Sequence, residues 1–310
     1  MTSDSTLADV LIVGAGPAGL TAALVLARAG RSVAVLDAGA GRNAPAAHAY
    51  GVFTRDGTSP ADLRAIGRAQ AEHYGARFVL ANATHAEADA DGVRVSLGDG
   101  TDVSARRLLL ATGVVDGLPA IPGLAEVWGE TAVYCPYCHG FELRGRPTVI
   151  LGRGVPALHY AAMLPGWTDQ LTLLTDGPAG FSDDERATLA RLGVPVREER
   201  VARLDVDGRA LRAVVFETGE RLDATALYVN PPQHLRGPLP AALGLALTDI
   251  GRVEVDMGGR TSVPNVWACG DMAAMMQSVM SATASGSLTA AMLNHDLIAA
   301  GHGYVPLGAP

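Results

Sequence analysis

Apolar runs alternate with helix-like stretches along this chain, in an order that predicts an α/β fold. Residues 10–13 form a continuous apolar run, which is typical of a parallel strand buried on both faces. A helix-like stretch covers residues 20–29 and ends at Gly30. The next apolar run, residues 32–36, ends at Asp37. This order of strand, helix and strand predicts a βαβ unit.

The turn between the first strand and the first helix carries the G-x-G-x-x-G pattern of a dinucleotide-binding site. Gly14 allows the tight turn, Gly16 lets the backbone approach a pyrophosphate, and Gly19 lets the helix pack closely on the strand. Ala18 lies in the same turn, at a helix N-terminus that favours phosphate. Asp37 stands at the position from which an acid accepts hydrogen bonds from a ribose diol.

The same pattern occurs a second time, so the sequence predicts an internal repeat of the dinucleotide-type fold. A strand at residues 147–151 precedes a second turn of small residues, which contains Gly152, Gly154 and Ala157. A helix at 158–164 and a strand at 170–174 follow it. The other predicted elements are helices at 63–74 and 183–192 and strands at 78–83, 93–97, 101–104, 108–110, 194–197, 211–216 and 226–229.

Two segments rich in glycine and proline divide the chain into two predicted domains. The first segment begins at residue 117. The second segment, residues 230–240, is predicted to return the chain to the first domain. The first predicted domain is therefore discontinuous and comprises residues 1–116 and 242–310. The second predicted domain comprises residues 117–241 and contains a pair of cysteines.

The segment Cys135-x-x-Cys138-His139 is the strongest chemical signal in the chain. Two cysteines at this spacing can form a reactive disulfide, in which one thiol attacks a partner and the other resolves the mixed disulfide. His139 titrates near neutral pH and can carry the proton. Zinc binding needs a second pair of ligands, and the remaining cysteine, Cys269, stands alone and is expected to pack as a small apolar residue. Two buried thiols in a turn are the third alternative. The proline and the glycine of this segment argue against it, because they predict a kinked, partly open segment.

Composition narrows the classes of partner. The chain has 310 residues, enough for two domains, and its net charge of -8 disfavours nucleic acid and anionic membranes. None of the basic residues is lysine, so lysine chemistry is excluded. No apolar run reaches the length that spans a membrane. Three cysteines in a long chain without a secretion signal favour a reducing compartment, which we expect to be the cytoplasm.

Taken in order, these pieces resemble a low-molecular-weight thioredoxin reductase over nearly the whole chain. The resemblance implies two Rossmann-like three-layer domains in the flavin disulfide reductase arrangement, bound FAD and a homodimer. It implies that Asp37 binds the adenosine ribose and that Asp271 binds the ribityl chain. The further FAD-binding residues that it implies are Thr112, Gly113 and Gly270.

Three departures from that family pattern bear on the function. His139 replaces the acid that follows the second cysteine, as in the gliotoxin- and holomycin-type dithiol oxidases that the chain resembles. Asp176 lies where reductases that use NADPH carry His-Arg-Arg, and an aspartate repels a 2′-phosphate. The Arg-Gln pair that follows Gly-Asp in the reductases is also absent. The second glycine turn is therefore either a structural remnant or an NADH site in which Asp176 binds the ribose diol.

These observations predict an FAD-dependent thiol–disulfide oxidoreductase that oxidises a small-molecule dithiol through Cys135 and Cys138, with oxygen as acceptor. No metal is expected. The first alternative is a thioredoxin-disulfide reductase that uses NAD(P)H or another donor and acts on a thioredoxin-like protein. The second is a flavin-binding redox sensor without catalysis.

Overall fold

The computed structural model describes residues 8–39 and 41–302, and these residues form two compact units. The first unit contains residues up to 42, 52–115 and those from 234 onward, and the second contains 43–51 and 116–233. The sequence predicted domain boundaries after residues 116 and 241, and it predicted that residues 43–51 belong to the first domain. The ends of that predicted domain, residues 1–7 and 303–310, lie outside the described residues.

The strands are numbered in chain order through the part of the chain that the structure describes. They are β1 Ala8–Val13, β2 Val33–Asp37, β3 Arg77–Leu80, β4 Ala83–Ala88, β5 Val93–Leu97, β6 Asp102–Leu110, β7 Val114–Asp116, β8 Ala132–Val133, β9 Thr148–Leu151, β10 Leu171–Leu174, β11 Val196–Arg197, β12 Val201–Asp207, β13 Ala210–Phe216, β14 Arg221–Asp223, β15 Ala226–Val229, β16 Gln233–Leu235 and β17 Val266–Ala268.

The helices are numbered in the same way. They are α1 Pro17–Arg28, α2 Pro60–His73, α3 Leu124–Val127, α4 Pro136–Leu143, α5 Gly154–Met163, α6 Asp183–Arg191, α7 Leu239–Ala242 and α8 Val279–His302, with short 3₁₀ turns at Leu164–Gly166 and Gly270–Met272. None of the helices in the described residues is long and apolar enough to span a membrane.

The first unit is built on a seven-stranded mixed sheet whose central strands β1 and β2 are mostly buried. Its order is β3-β2-β1-β6-β5-β4. Strands β3, β2, β1 and β6 run parallel, β5 and β4 are antiparallel, and β17 pairs in parallel with the last three residues of β6. The β1 side chains are almost completely buried because helices cover the sheet, as an unbroken apolar run predicts. Helices α1 and α8 pack so closely that a Cβ on Gly286 would lie 2.2 Å from the carbonyl oxygen of Ala18.

Strand β6 corrects one sequence prediction. The sequence suggested separate strands at 101–104 and 108–110, but β6 is one continuous strand. Its first half pairs antiparallel with β5, and its second half joins the parallel sheet. The two arginines in the middle do not break the strand because Arg106 pairs with Asp9 and Arg107 with Asp296.

The second unit contains a five-stranded parallel sheet of order β11-β10-β9-β15-β8, beside a three-stranded antiparallel sheet of β12, β13 and β14. β9 and β15 are buried throughout. The sequence missed β12 because only Val201 and Leu204 of this strand are buried, so it lacks an apolar run. The predicted α/β class, with two Rossmann-like units, is confirmed.

Candidate active site

The cysteine pair lies at the start of helix α4. Cys135 is the N-cap residue, Pro136 opens the helix, and Cys138 lies in the first turn. The two cysteines form a disulfide, with Cα atoms 5.2 Å apart. The sequence predicted a kinked, partly open segment. The kink is wrong, because the segment is a regular helix that proline at the first helical position favours, whereas Tyr137 on this helix is exposed. A thiolate of Cys138 would lie at the positive end of the helix dipole, which stabilises it.

Helix α4 is held from one side by Trp167. A Cβ on Gly140 would lie 2.6 Å from the indole Nε1 of Trp167, so only glycine allows the ring to pack here. Tyr137, between the two cysteines, contacts the same ring edge-on at 5.7 Å and is 74% exposed. Within this unit the helix therefore has one fixed face and one face turned outward beside the disulfide.

His139 follows Cys138 directly and is half-buried. Its Nδ1 atom is buried and has no hydrogen-bond partner among the described residues. Burial lowers the pKa of His139, and the charges of Glu142 and Glu130 oppose that shift. Because its pKa lies below the usual 6.5, the imidazole is neutral at pH 7 and can accept a proton.

The sequence predicted no helix or strand in residues 43–51. This segment belongs to the unit that contains His139. The ring of Tyr50 meets the ring of His139 nearly perpendicularly, with centroids 6.3 Å apart. His48 lies 5.9 Å from Tyr50, measured between ring centroids. The sequence offered no signal for this arrangement because more than 80 residues separate Tyr50 from His139.

The first glycine turn has the geometry that the dinucleotide pattern requires. Gly14 has φ +106°, and a Cβ there would lie 2.4 Å from the carbonyl oxygen of Ala111. A Cβ on Gly19 would lie 1.9 Å from the carbonyl oxygen of Gly14. By contrast, nothing lies within 4 Å of a Cβ on Gly16. The turn is thus tightly packed on the protein side and open at Gly16, as a pyrophosphate cradle requires.

Asp37 lies at the edge of a cleft of about 260 Å³ in the first unit. Its Oδ1 accepts a hydrogen bond from the Ala15 backbone N–H at 3.3 Å, and its Oδ2 accepts one from Arg64 at 2.6 Å. Phe78 and Arg68 line the cleft too, with the Arg68 guanidinium 5.0 Å from the Phe78 ring centroid. A carboxylate beside an aromatic and a cationic wall suits an adenosine.

Four further predicted FAD residues also lie in the first unit. Gly113 and Gly270 have φ values of +71° and +76°, which favour glycine. The Thr112 hydroxyl donates to the sulfur of Met272 at 3.6 Å. Asp271 forms an ion pair with Arg42 at 2.9 Å, and the sequence gave no signal for this arginine.

Arg42 links Asp271 to the segment in front of α8. The same Nη1 atom that bonds Asp271 also donates to Gln277 Oε1 at 2.6 Å. Gln277 comes from the stretch that replaces the reductases' Arg-Gln pair. Asp271 is therefore held in a fixed orientation by residues of its own unit.

Cys269 packs in the core of the first unit, as the sequence predicted. Burial raises the pKa of its thiol to about 12, so it is a thiol at any physiological pH. No group of three His, Cys, Asp or Glu side chains that could hold a metal ion occurs in residues 8–39 and 41–302.

A side chain of the second glycine turn reaches the end of the neighbouring strand β10. Gly152 and Gly154 form the turn, and Ala157 is buried beneath it. The Arg153 guanidinium reaches across to the end of β10 and donates to the backbone carbonyls of Thr175 and Asp176.

The carboxylate of Asp176 is also occupied. Its Oδ1 accepts from the Val201 backbone N–H at 2.8 Å, and its Oδ2 lies 3.6 Å from Arg200. Asp176 has φ +49°, so this aspartate stands in a tight turn at the strand end. In this structure the Asp176 carboxylate accepts a hydrogen bond from the backbone of its own unit.

Two Rossmann-like units, one with an open glycine cradle and one with a disulfide at a helix start, define a flavin-dependent thiol–disulfide oxidoreductase. The chain belongs to the pyridine nucleotide-disulphide oxidoreductase family, whose model matches residues 8–286. This bears out the family resemblance, and the family implies FAD as cofactor.

Similar proteins of known structure or curated name support this family assignment. The thioredoxin reductase tcpT of Claviceps purpurea (strain 20.1) is 35% identical over 316 residues, covering 96% of each chain. The thioredoxin reductase sirT of Leptosphaeria maculans is 31% identical, covering 97% of each chain. The crystal structure of HlmI superposes with a TM-score of 0.92 at 39% identity, covering 98% of this chain and 96% of that one.

Proposed function

We propose that this enzyme oxidises a small-molecule dithiol to a disulfide and passes the electrons to oxygen. The observation that carries the proposal is the state of the second glycine turn. A nicotinamide donor lies across such a turn and binds its adenosine ribose at the end of the second strand. Here the Arg153 guanidinium donates to the carbonyl oxygens of Thr175 and Asp176 at that strand end, where the ribose would bind. Without a nicotinamide donor, the electrons come from the dithiol.

The thiol exchange uses groups that lie together on α4. A substrate thiolate attacks Cys135 Sγ, the Cys135–Cys138 bond breaks, and Cys138 leaves as a thiolate. The N-terminus of α4 stabilises that thiolate. The second substrate thiolate then attacks the substrate sulfur bound to Cys135, the mixed-disulfide bond breaks, and Cys135 leaves as a thiolate while the substrate disulfide is released. Two electrons and two protons have then moved from the substrate to the cysteine pair.

His139 is the proton acceptor in this scheme. Each substrate thiol must lose its proton before it attacks, since the thiolate is the nucleophile. The neutral imidazole beside Cys138 can take that proton and return it to a cysteine thiolate. The acid of the reductases would be negatively charged at pH 7 and would repel the incoming thiolate.

The first unit supports the cofactor assignment. The open turn at Gly16, the carboxylate of Asp37 and the fixed Asp271 suit the pyrophosphate, adenosine ribose and ribityl chain of FAD respectively. When bound, FAD supplies the two-electron acceptor that returns the cysteine pair to the disulfide. A homodimer and a cytoplasmic location, both expected from the sequence, complete the proposal, and sedimentation analysis tests the dimer.

Reduction of a thioredoxin-like protein is the second candidate. The names of the relatives tcpT and sirT favour it. A thioredoxin-type reductase requires an electron donor, whereas the oxidase is reduced by its dithiol substrate. The two candidates therefore differ in what reduces the enzyme.

Anaerobic addition of NADPH, NADH or a small dithiol to separate samples of the yellow holoenzyme tests the proposal. Bleaching by the dithiol alone, with the colour returning in air, is the expected result. Rapid bleaching by either nicotinamide would replace the oxidase with the reductase. No bleaching by any of the three would favour a redox sensor.

A further inference from the structure

The segment 43–51 leaves the first unit and joins the unit of the cysteine pair at several points. The Ala47 backbone N–H donates to Glu130 Oε1 at 2.9 Å. Arg209 donates to the carbonyl oxygen of Pro45 and, at 3.0 Å, to that of Trp128. The chain also passes close to Gly129, where a Cβ would lie 2.8 Å from the Pro45 backbone. The segment is thus anchored on both sides of the turn that leads into β8.

These anchors hold Tyr50 against the half-buried His139. The two rings meet at 85°, so an edge of one ring faces the other, a geometry that aromatic pairs favour. The Tyr50 ring is itself half-buried. It covers part of the imidazole from an element other than α4, and the buried Nδ1 atom of His139 has no hydrogen bond to fix its ring among the described residues. Ring packing therefore orients His139.

We propose that Tyr50 is a positioning residue for His139, and that segment 43–51 is a working part of the cysteine-pair site. The proposal rests on the proposed function only where it gives His139 a proton to move. The contacts that place Tyr50 are independent of the direction of electron flow.

The groups that act on His139 come from three elements. Glu142 lies on α4, Glu130 precedes β8, and Tyr50 and His48 lie on the segment. Glu130 has two tasks, because it accepts the Ala47 N–H and is also one of the two acids whose charge reaches His139. Arg209 lies 3.7 Å from the same carboxylate and tempers that charge. Docking of the segment and the charge at His139 are thus linked through Glu130.

Removal of the Tyr50 ring should let water reach the imidazole. Burial is the main cause of the lowered pKa of His139, so Tyr50→Ala should raise that pKa toward its ordinary value. Tyr50→Phe keeps the ring and should restore the wild-type value. Tyr74→Ala, which removes an exposed tyrosine at the end of α2, is the matched control and should leave the pKa of His139 unchanged.

The test is an NMR titration of the holoenzyme with labelled histidines, in which the His139 signal is identified by its loss in His139→Gln. The same variants are assayed for oxidation of dithiothreitol in air, where Tyr50→Ala should lose about tenfold in rate and Tyr50→Phe should recover it. An unchanged His139 pKa in a folded, yellow Tyr50→Ala protein would overturn the proposal. If the wild type does not oxidise dithiols, the proposed function fails, while the titration still decides the role of Tyr50. If Tyr50→Ala does not fold, Tyr50→Val, a smaller side chain that also uncovers the imidazole, is titrated in its place and must raise the pKa of His139 in the same direction.

Discussion

The close packing of α1 on α8 gives a sharp quantitative prediction for Gly286→Ala. A Cβ at this position would lie 2.2 Å from the carbonyl oxygen of Ala18, and that oxygen belongs to helix backbone that cannot swing aside. Real Cβ contacts essentially never fall below 3.0 Å, so the helices must separate by about 0.8 Å. Ala18 lies in the FAD-type glycine turn, so this shift should also disturb the cofactor cradle.

The magnitude follows from two opposing effects. Overpacking of this kind costs about 1–3 kcal/mol. Replacement of a helical glycine by alanine stabilises the helix by roughly 0.5–1 kcal/mol. The net destabilisation is therefore about 0–2.5 kcal/mol, and with an unfolding entropy of roughly 2.1 cal/mol/K per residue it lowers the melting temperature of a 310-residue protein by up to about 4 °C.

Gly301→Ala is the matched control on the same helix. Nothing lies within 4 Å of a Cβ there, so only the helix propensity changes and the variant should be as stable as the wild type or slightly more stable. Thermal unfolding is followed by circular dichroism, and release of FAD is followed by its fluorescence in the same samples. Equal melting and release temperatures for the two variants would refute the packing argument.

Other predictions concern the site. Cys135→Ser and Cys138→Ser should each abolish dithiol oxidation while FAD stays bound, as absorbance spectra of the washed proteins can check. Wild-type oxidation should slow as the pH falls through the lowered pKa of His139, because the imidazole gains its proton there, and His139→Gln should be slow at all pH values without that limb. Arg153→Ala should free the end of β10 and raise the affinity for NADH, measured by equilibrium binding, by about tenfold. Asp37→Ala should weaken FAD binding by about 10- to 100-fold, measured by titration of the apoprotein.

The sequence predicted most of the parallel strands because their signals are local. The apolar runs at β1 and β9 are continuous and are bounded by turns of small residues. It failed where pairing decides the structure. β4 pairs antiparallel with β5 and β12 pairs antiparallel with β13, and both strands carry exposed residues that give no continuous apolar run.

The chemical candidates were equally visible in the sequence because they depend on spacing. Cys135 and Cys138 are three residues apart, and each glycine turn is a short contiguous motif. Their surroundings were not visible. The bonds from Arg153 to the end of β10 and the ion pair between Arg42 and Asp271 depend on side chains that meet only in the fold.

The sequence by itself therefore determined the fold class, the family and the disulfide chemistry, because periodicity and short motifs encode them within a few residues. Only the tertiary structure decided what surrounds His139 and whether the second glycine turn is free. Tyr50 reaches His139 across 89 positions of the chain, and Arg153 meets Asp176 only because β9 and β10 pair side by side. Such contacts follow from the path of the whole chain and leave no periodic trace in the sequence.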